Sequence, residues 1–328
     1  MPSAKMKIQR LLSGVVDAGM CEMMNLIQLR QRREVSRPAE LGTYLERCEK
    51  LTREEYYEAP PAEEITEKAG FLGWKSPVEG PYAENNRTGA HLFLGPGGPS
   101  APTVLILHAL MSASDVGYRR MASWFNKRGW NAAFPHLPYH YSRVPKGTLN
   151  GELAISSHLI RNVESLRQGV IELRQLMELL RQRGCPDFGI LGTSYGGWTG
   201  ALLSFVEADF RFIGLVQPIV DTHAAIWKNP SARTLRRQLT RSGVGNEVAV
   251  KHSHLSSPLH GVPLCGPEKV VIAAGLYDTV SPPDRLVELN ENWIGSRLLL
   301  VNQGHFGYRA HAEMLRELEE HNFLNYEA

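Results

Sequence analysis

Phe188-Gly189-Ile190-Leu191-Gly192-Thr193-Ser194-Tyr195-Gly196-Gly197-Trp198 runs from a short apolar segment, through a serine bracketed by glycines, into a stretch with helical spacing. The apolar segment does not alternate, which fits a strand buried on both faces, and Trp198 to Glu207 reads as the helix that follows. A serine on so tight a strand-to-helix turn is held in a strained backbone conformation that leaves no room for side chains beside it, and Gly192 and Gly196 supply that room. The turn lifts the hydroxyl above the sheet, at the positive end of the following helix, where developing negative charge is favoured. G-x-S-x-G alone is a weak signal. Its placement between a buried strand and a helix is what gives it meaning.

Outward from this turn the same alternation continues. Val104 to Leu107, Phe212 to Val216, Val270 to Ala274 and Leu298 to Val301 are further short unalternating runs. Trp130 to Phe134 adds another strand, and Thr88 to Leu94 fits an antiparallel entrance to the sheet. Helical stretches lie between them at Ser114 to Lys127, Ser157 to Gln182 and Ala310 to Glu320. Strand-helix alternation of this kind predicts an α/β fold with a mostly parallel central sheet flanked by helices. The interval between Val216 and Val270 is far longer than a simple connection of about six residues, so a helical cap insertion is expected at about 219–267. Within it, Lys228, Arg233, Arg236, Arg237, Arg241 and Lys251 form a basic cluster, read either as a solvated face or as a lid that attracts an anionic substrate.

Residues 1–65 stand apart as an N-terminal helical extension and linker, ahead of a main domain over 66–328. From Ile8 to about Val35 apolar residues recur at helical spacing and end in Arg30, Arg32 and Arg33. This is an amphipathic helix, either packed on the main domain or serving as a membrane-surface or substrate-entrance element. Glu54 to Glu67, with Pro60 and Pro61, reads as a linker.

A neutral serine hydroxyl is a poor nucleophile. The reading of Ser194 as catalytic therefore requires a base near neutral pH and an anion to orient that base, both later in the chain. Val270 to Ala274 is followed by Gly275-Leu276-Tyr277-Asp278, and Leu298 to Val301 by Asn302-Gln303-Gly304-His305. Ser194, Asp278 and His305 thus all fall beyond the carboxyl ends of parallel strands, where open α/β sheets form their sites. Asp221 is an alternative acid but better suits a helix N-cap. The oxyanion donors are expected to be the N–H of Tyr195 and a second N–H after Val104 to Leu107, assigned to Leu110 with Met111 as fallback. His108, Met111, His136, Tyr139 and His140 are candidate pocket residues, with aromatic rings suited to an acyl or aromatic substituent. His136 with His140 and His252 with His254 complete no recognised metal site, and neither a metal nor a cofactor is expected.

With GTSYGG as nucleophile elbow, GLYDTVSPP as acid loop and NQGHFG as histidine loop, the chain resembles the alpha/beta-hydrolase superfamily from roughly Pro81 to the C-terminus. His108-Ala109-Leu110 departs from the superfamily's common H-G-x pattern. The long N-terminal extension and the segment HLPYHYSRVPKG resemble the group around alpha/beta-hydrolase domain containing protein eighteen and its bacterial relatives. The resemblance implies a serine esterase working through an acyl-enzyme on a small-molecule or lipid acyl ester, with acyl transfer, peptide hydrolysis or a non-catalytic binding role as alternatives. A serine elbow argues against dehalogenases and epoxide hydrolases, whose elbows carry aspartate.

Composition narrows the partners. In 328 residues, 36 Lys plus Arg nearly balance 34 Asp plus Glu for a net charge of +2, without the basic excess that phosphate tracking needs, so nucleic acid is not expected. Cys21, Cys48, Cys185 and Cys265 lie far apart with no C-x-x-C pair, which favours a reducing compartment. No apolar run reaches the ~18 residues of a spanning helix. Asp17 and Glu22 interrupt what would otherwise faintly resemble a signal peptide. The expectation is a soluble, cytoplasmic protein, with peripheral membrane contact open.

Overall fold

In the computed structural model, which describes residues 4–31 and 34–326, the unalternating runs form the middle of a nine-stranded sheet. Arg32 and Arg33 of the expected basic cluster lie outside the described residues. In chain order the strands are β1 (Glu63–Lys68), β2 (Phe71–Lys75), β3 (Arg87–Phe93), β4 (Thr103–Leu107), β5 (Asn131–Pro135), β6 (Phe188–Thr193), β7 (Phe210–Val216), β8 (Val270–Gly275) and β9 (Arg297–Val301). The helices are α1 (Ala4–Gln28), α2 (Pro38–Cys48), α3 (Arg53–Tyr56), α4 (Val116–Asn126), α5 (Leu159–Arg181), α6 (Tyr195–Leu203), α7 (Thr222–Trp227), α8 (Arg233–Arg241), α9 (Glu247–Lys251), α10 (Ser253–Ser256), α11 (Pro283–Asn292) and α12 (Arg309–Glu320). Across the sheet the order is β1-β2-β3-β5-β4-β6-β7-β8-β9. The pairings β1·β2, β2·β3 and β3·β5 are antiparallel and the others parallel.

Side chains along a strand alternate between faces, so a run that is apolar throughout serves two cores at once. Val104, Ile106, Phe212 and Val216 pack with Ala122 and Phe125 of α4 and with Met314 and Leu318 of α12. Leu105, Leu107, Ile213 and Leu215 pack on the other face with Leu166 and Val170 of α5, Ala201 of α6 and Leu286 of α11. Burying each such side chain contributes about 1.5–3 kcal/mol, so the central strands are held from both sides. β1 differs, being exposed along its whole length and paired only with β2.

Two expectations change here. The polar stretch Glu54 to Glu67 is not a free linker. It holds most of α3, whose start is fixed by a reciprocal cap in which Thr52 accepts from the Glu55 N–H and Glu55 accepts from the Thr52 N–H, and then begins β1. The amphipathic helix α1 packs with its polar stripe inward. Asp17, Cys21, Asn25 and Gln28 are buried, whereas Ile8, Leu11, Leu12 and Val15 are exposed, Leu11 at 68%. The inward residues do what apolar ones could not. Ala232 gives α8 no side-chain cap. The amide oxygens of Asn25 and Gln28 instead accept from the N–H groups of Thr234 and Leu235, at 2.9 and 3.1 Å. Their amide nitrogens donate to the carbonyls of Pro230 and Ser231. α1 thus satisfies the open N-terminus of α8 from outside, in place of the missing cap. Among the described residues no helix is long and apolar enough to cross a membrane.

Candidate active site

β6 ends at Thr193, and the chain turns into α6 through Ser194 at φ 52° and ψ −109°, a conformation that strains any non-glycine residue. The neighbours show why both glycines are needed. A Cβ on Gly196 would lie 2.3 Å from the carbonyl oxygen of Leu107, and one on Gly192 would lie 2.7 Å from that of Gly196. The loop after β8 brings in Asp278 and the loop after β9 brings in His305. His305 Nε2 lies 2.9 Å from Ser194 Oγ, and Nδ1 lies 2.8 Å from Asp278 Oδ2. With the Nδ1 proton donated to Asp278, the Nε2 lone pair faces the serine hydroxyl, the arrangement a general base requires.

Asp278 is itself tightly held. Its Oδ1 accepts from the N–H groups of Val280 and Ser281 at 2.8 and 2.7 Å, and its Oδ2 also accepts from Gln217 Nε2. Gln217, at the end of β7, donates as well to the carbonyl of Gly304 at 2.9 Å and accepts from Gln303 at 2.7 Å. These bonds fix the acid loop against the histidine loop. Burial pulls the His305 pKa down, but the charge and hydrogen bond of Asp278, with a contribution from Asp17, outweigh it and set the pKa above its ordinary value of 6.5. A base must be deprotonated to act, so kcat/KM should rise with pH through a midpoint above ~6.5. A pH-rate profile checks this, and a midpoint at or below that value would count against it.

Above Ser194 lies a cavity of about 370 Å³ whose walls include Leu110, Trp198, Ile219, Ala225, Val280 and Phe306. Tyr195, at the first position of α6, and Leu110, after β4, both border it. Among the described residues neither backbone N–H is taken by another acceptor. Each is therefore free to meet a developing oxyanion.

No family model and no curated protein matches the chain. Solved structures do match it. An acetyl xylan esterase from Paenibacillus sp. R4 aligns with a TM-score of 0.59 at 13% identity, covering 89% of this chain and 99% of that one. Acetyl xylan esterase 1 from Thermoanaerobacterium sp. JW/SL YS485 gives 0.58 at 16% identity, covering 90% and 98%. The alpha/beta hydrolase GrgF from Penicillium sp. sh18 gives 0.50 at 13% identity, covering 73% and 93%. The fold is that of the alpha/beta hydrolases.

On this alpha/beta-hydrolase frame several expected residues lie elsewhere. His108, Met111, His136, Tyr139 and His140 do not line the cavity over Ser194. His108 and Met111 belong to the loop after β4, and bonds with the segment after β5 brace that loop from behind. The Met111 N–H, the fallback oxyanion donor, donates to His140 Nε2 at 3.2 Å, and His108 Nε2 accepts from the Leu137 N–H at 3.2 Å. Burial holds His136 and His140 at pKa values of about 3 and about 4, and also holds His108 well below its ordinary value. They remain neutral partners for backbone groups. Tyr139 faces a separate cleft beside Tyr82. Asp221 caps α7 by accepting from the Ala224 N–H at 2.9 Å. His252 packs between the rings of Tyr44 and Tyr56.

The insertion contributes Ile219, Ala225, Asn229 and Ser231 to the cavity wall, but the lining contains no lysine or arginine among the described residues. Arg233 pairs with Glu22 of α1, and Arg236 donates to the carbonyls of Ile226 and Asn229. The sequence reading also missed residues that belong here. Met24 of α1 and His311 of α12 both line the cavity. His311 Nε2 lies 2.9 Å from Thr193 Oγ1, and burial lowers its pKa to about 4. Gln217 was the most accessible of these omissions, since it directly follows β7 on the sheet edge that carries the other loops.

Proposed function

We propose that this chain is a serine hydrolase that cleaves carboxylic esters with an uncharged, apolar acyl group. The observation that carries the reading is the relay of Ser194, His305 and Asp278, at 2.9 and 2.8 Å, opening into a cavity with mainly apolar walls. Ser194 Oγ attacks the ester carbonyl as His305 Nε2 takes its proton. The carbonyl oxygen becomes an oxyanion facing the Tyr195 and Leu110 N–H groups. The intermediate collapses with proton return to the leaving alcohol, and water repeats the sequence to release the acid. Asp278 keeps the imidazole in the productive tautomer and stabilises its charged form. These steps need nothing beyond the chain's own residues and water.

The lining supports the acyl assignment. A second, almost wholly apolar pocket shares Ile155, Trp198 and Ala225 with the cavity and continues between Leu41, Leu45, Leu159 and Leu235. In this reading a hydrocarbon chain leaving the carbonyl runs along the wall shared with that pocket. Turnover of nitrophenyl acetate, butyrate and octanoate tests the proposal directly. The longer esters should be preferred, and Ala225→Phe, which fills the shared wall, should lower kcat/KM for octanoate at least about tenfold relative to acetate, since each methylene in such a pocket is worth about 1–3 kcal/mol. Equal losses on all three esters would reject this route. Acyl transfer would appear as transesterified product in the presence of a competing alcohol.

A further inference from the structure

We propose that Asp17 of α1 is a positioning residue for this site, a carboxylate that ties the acid loop to the histidine loop and so makes the N-terminal helix part of the catalytic apparatus. The inference rests on the function proposed above but on separate observations. Asp17 is 1% exposed and forms no ion pair with any cation of the described residues. A buried carboxylate in that state is costly unless hydrogen bonds replace the lost water. All of its partners come from the two catalytic loops. Both oxygens accept from the His305 N–H at 3.0 Å, Oδ1 accepts from the Phe306 N–H at 3.4 Å, and Oδ2 accepts from the Thr279 N–H at 3.3 Å.

His305 is therefore gripped at its own backbone, and Thr279 directly follows Asp278. Asp17 thus spans base and acid from the helix side, as Gln217 does from β7. The histidine loop is shaped to receive it, because a Cβ on Gly304 would lie 2.7 Å from Asp17 Oδ1. The helix has little freedom to withdraw. Gln9 donates to the carbonyl of Asn302, and Asn25 and Gln28 are bound to α8. Met24, farther along the same helix, forms part of the cavity wall. The charged groups bearing on His305 are Asp278 and Asp17. Cys21 lies beside both, its thiol pushed up to about 11 by burial and these two carboxylates.

Asp17→Asn keeps the shape and one acceptor oxygen but removes the charge and places an NH2 group among donors. The natural protein, Asp17→Asn and Asn25→Ala are compared, the last loosening the same helix without touching either loop. Asp17→Asn should lower kcat by about 10²-fold, the scale of a 1 Å misplacement, with KM changed less than about twofold. The His305 ring titration, followed by proton NMR, should move to lower pH because an anion beside the imidazole is lost. Asn25→Ala should lower the melting temperature and leave the titration in place. A titration unchanged in Asp17→Asn, or losses no larger than those of Asn25→Ala, would overturn the proposal. The NMR titration needs no turnover. If Ser194 proves inactive while the titration still moves, the function above fails and the positioning role of Asp17 stands.

Discussion

Ser194→Ala is expected to lower ester turnover by roughly 10⁴-fold or more, leaving only what the oxyanion donors and binding supply. The loss is large because the hydroxyl has no substitute nearby. Thr193, the adjacent hydroxyl, is bound to His311, and Nε2 of His305 would have only water to activate. The fold should survive, since alanine occupies the same φ 52° turn and loses a single hydrogen bond, worth about 1 kcal/mol. Kinetics on the natural and substituted proteins with matched melting curves decide the matter. Residual activity within tenfold of the natural protein would remove Ser194 from the mechanism.

Asp278→Asn is expected to lower kcat by about 10⁴-fold, the scale expected when the acid partner of such a histidine becomes an amide. Oδ1 at this position receives the Val280 and Ser281 N–H groups, so an asparagine must keep its oxygen there and turn its NH2 towards His305. Nδ1 then becomes an acceptor and the ring proton moves to Nε2, facing Ser194. The base is lost although nothing has moved. The new NH2 also confronts Gln217 Nε2, and one unsatisfied buried donor costs about 1–3 kcal/mol. A lower melting temperature should accompany the kinetic loss. A change of less than tenfold in kcat would show that Asp278 is not the orienting acid.

What could be read from the chain and what could not follow from where each interaction lives. Ser194, Asp278 and His305 were legible because each sits just beyond an apolar run, and a parallel sheet gathers such ends on one edge. The central strands were legible because burial on both faces gives each an unbroken apolar run, with polar residues only towards the ends. β1 was not, because an exposed edge strand paired on one side has no apolar pattern to show. Asp17 was read only as an interruption of an apolar stretch. Its partners are backbone N–H groups, one of them 288 residues away, and backbone groups leave no trace in side-chain spacing. The inward facing of the polar stripe of α1 was hidden for the same reason, since it answers backbone donors on α8. The histidines of the segment after β5 were misplaced for a related reason. His140 lies beside the loop after β4 but turns its ring nitrogen to the Met111 N–H and so braces that loop from behind, while the His136 ring is held by Ser142 within its own segment.

An activated Ser194 should react covalently with a fluorophosphonate, and intact-mass measurement detects the adduct. One adduct per chain is expected on the natural protein and none on Ser194→Ala. Labelling of neither, or equal labelling of both, would contradict that activation.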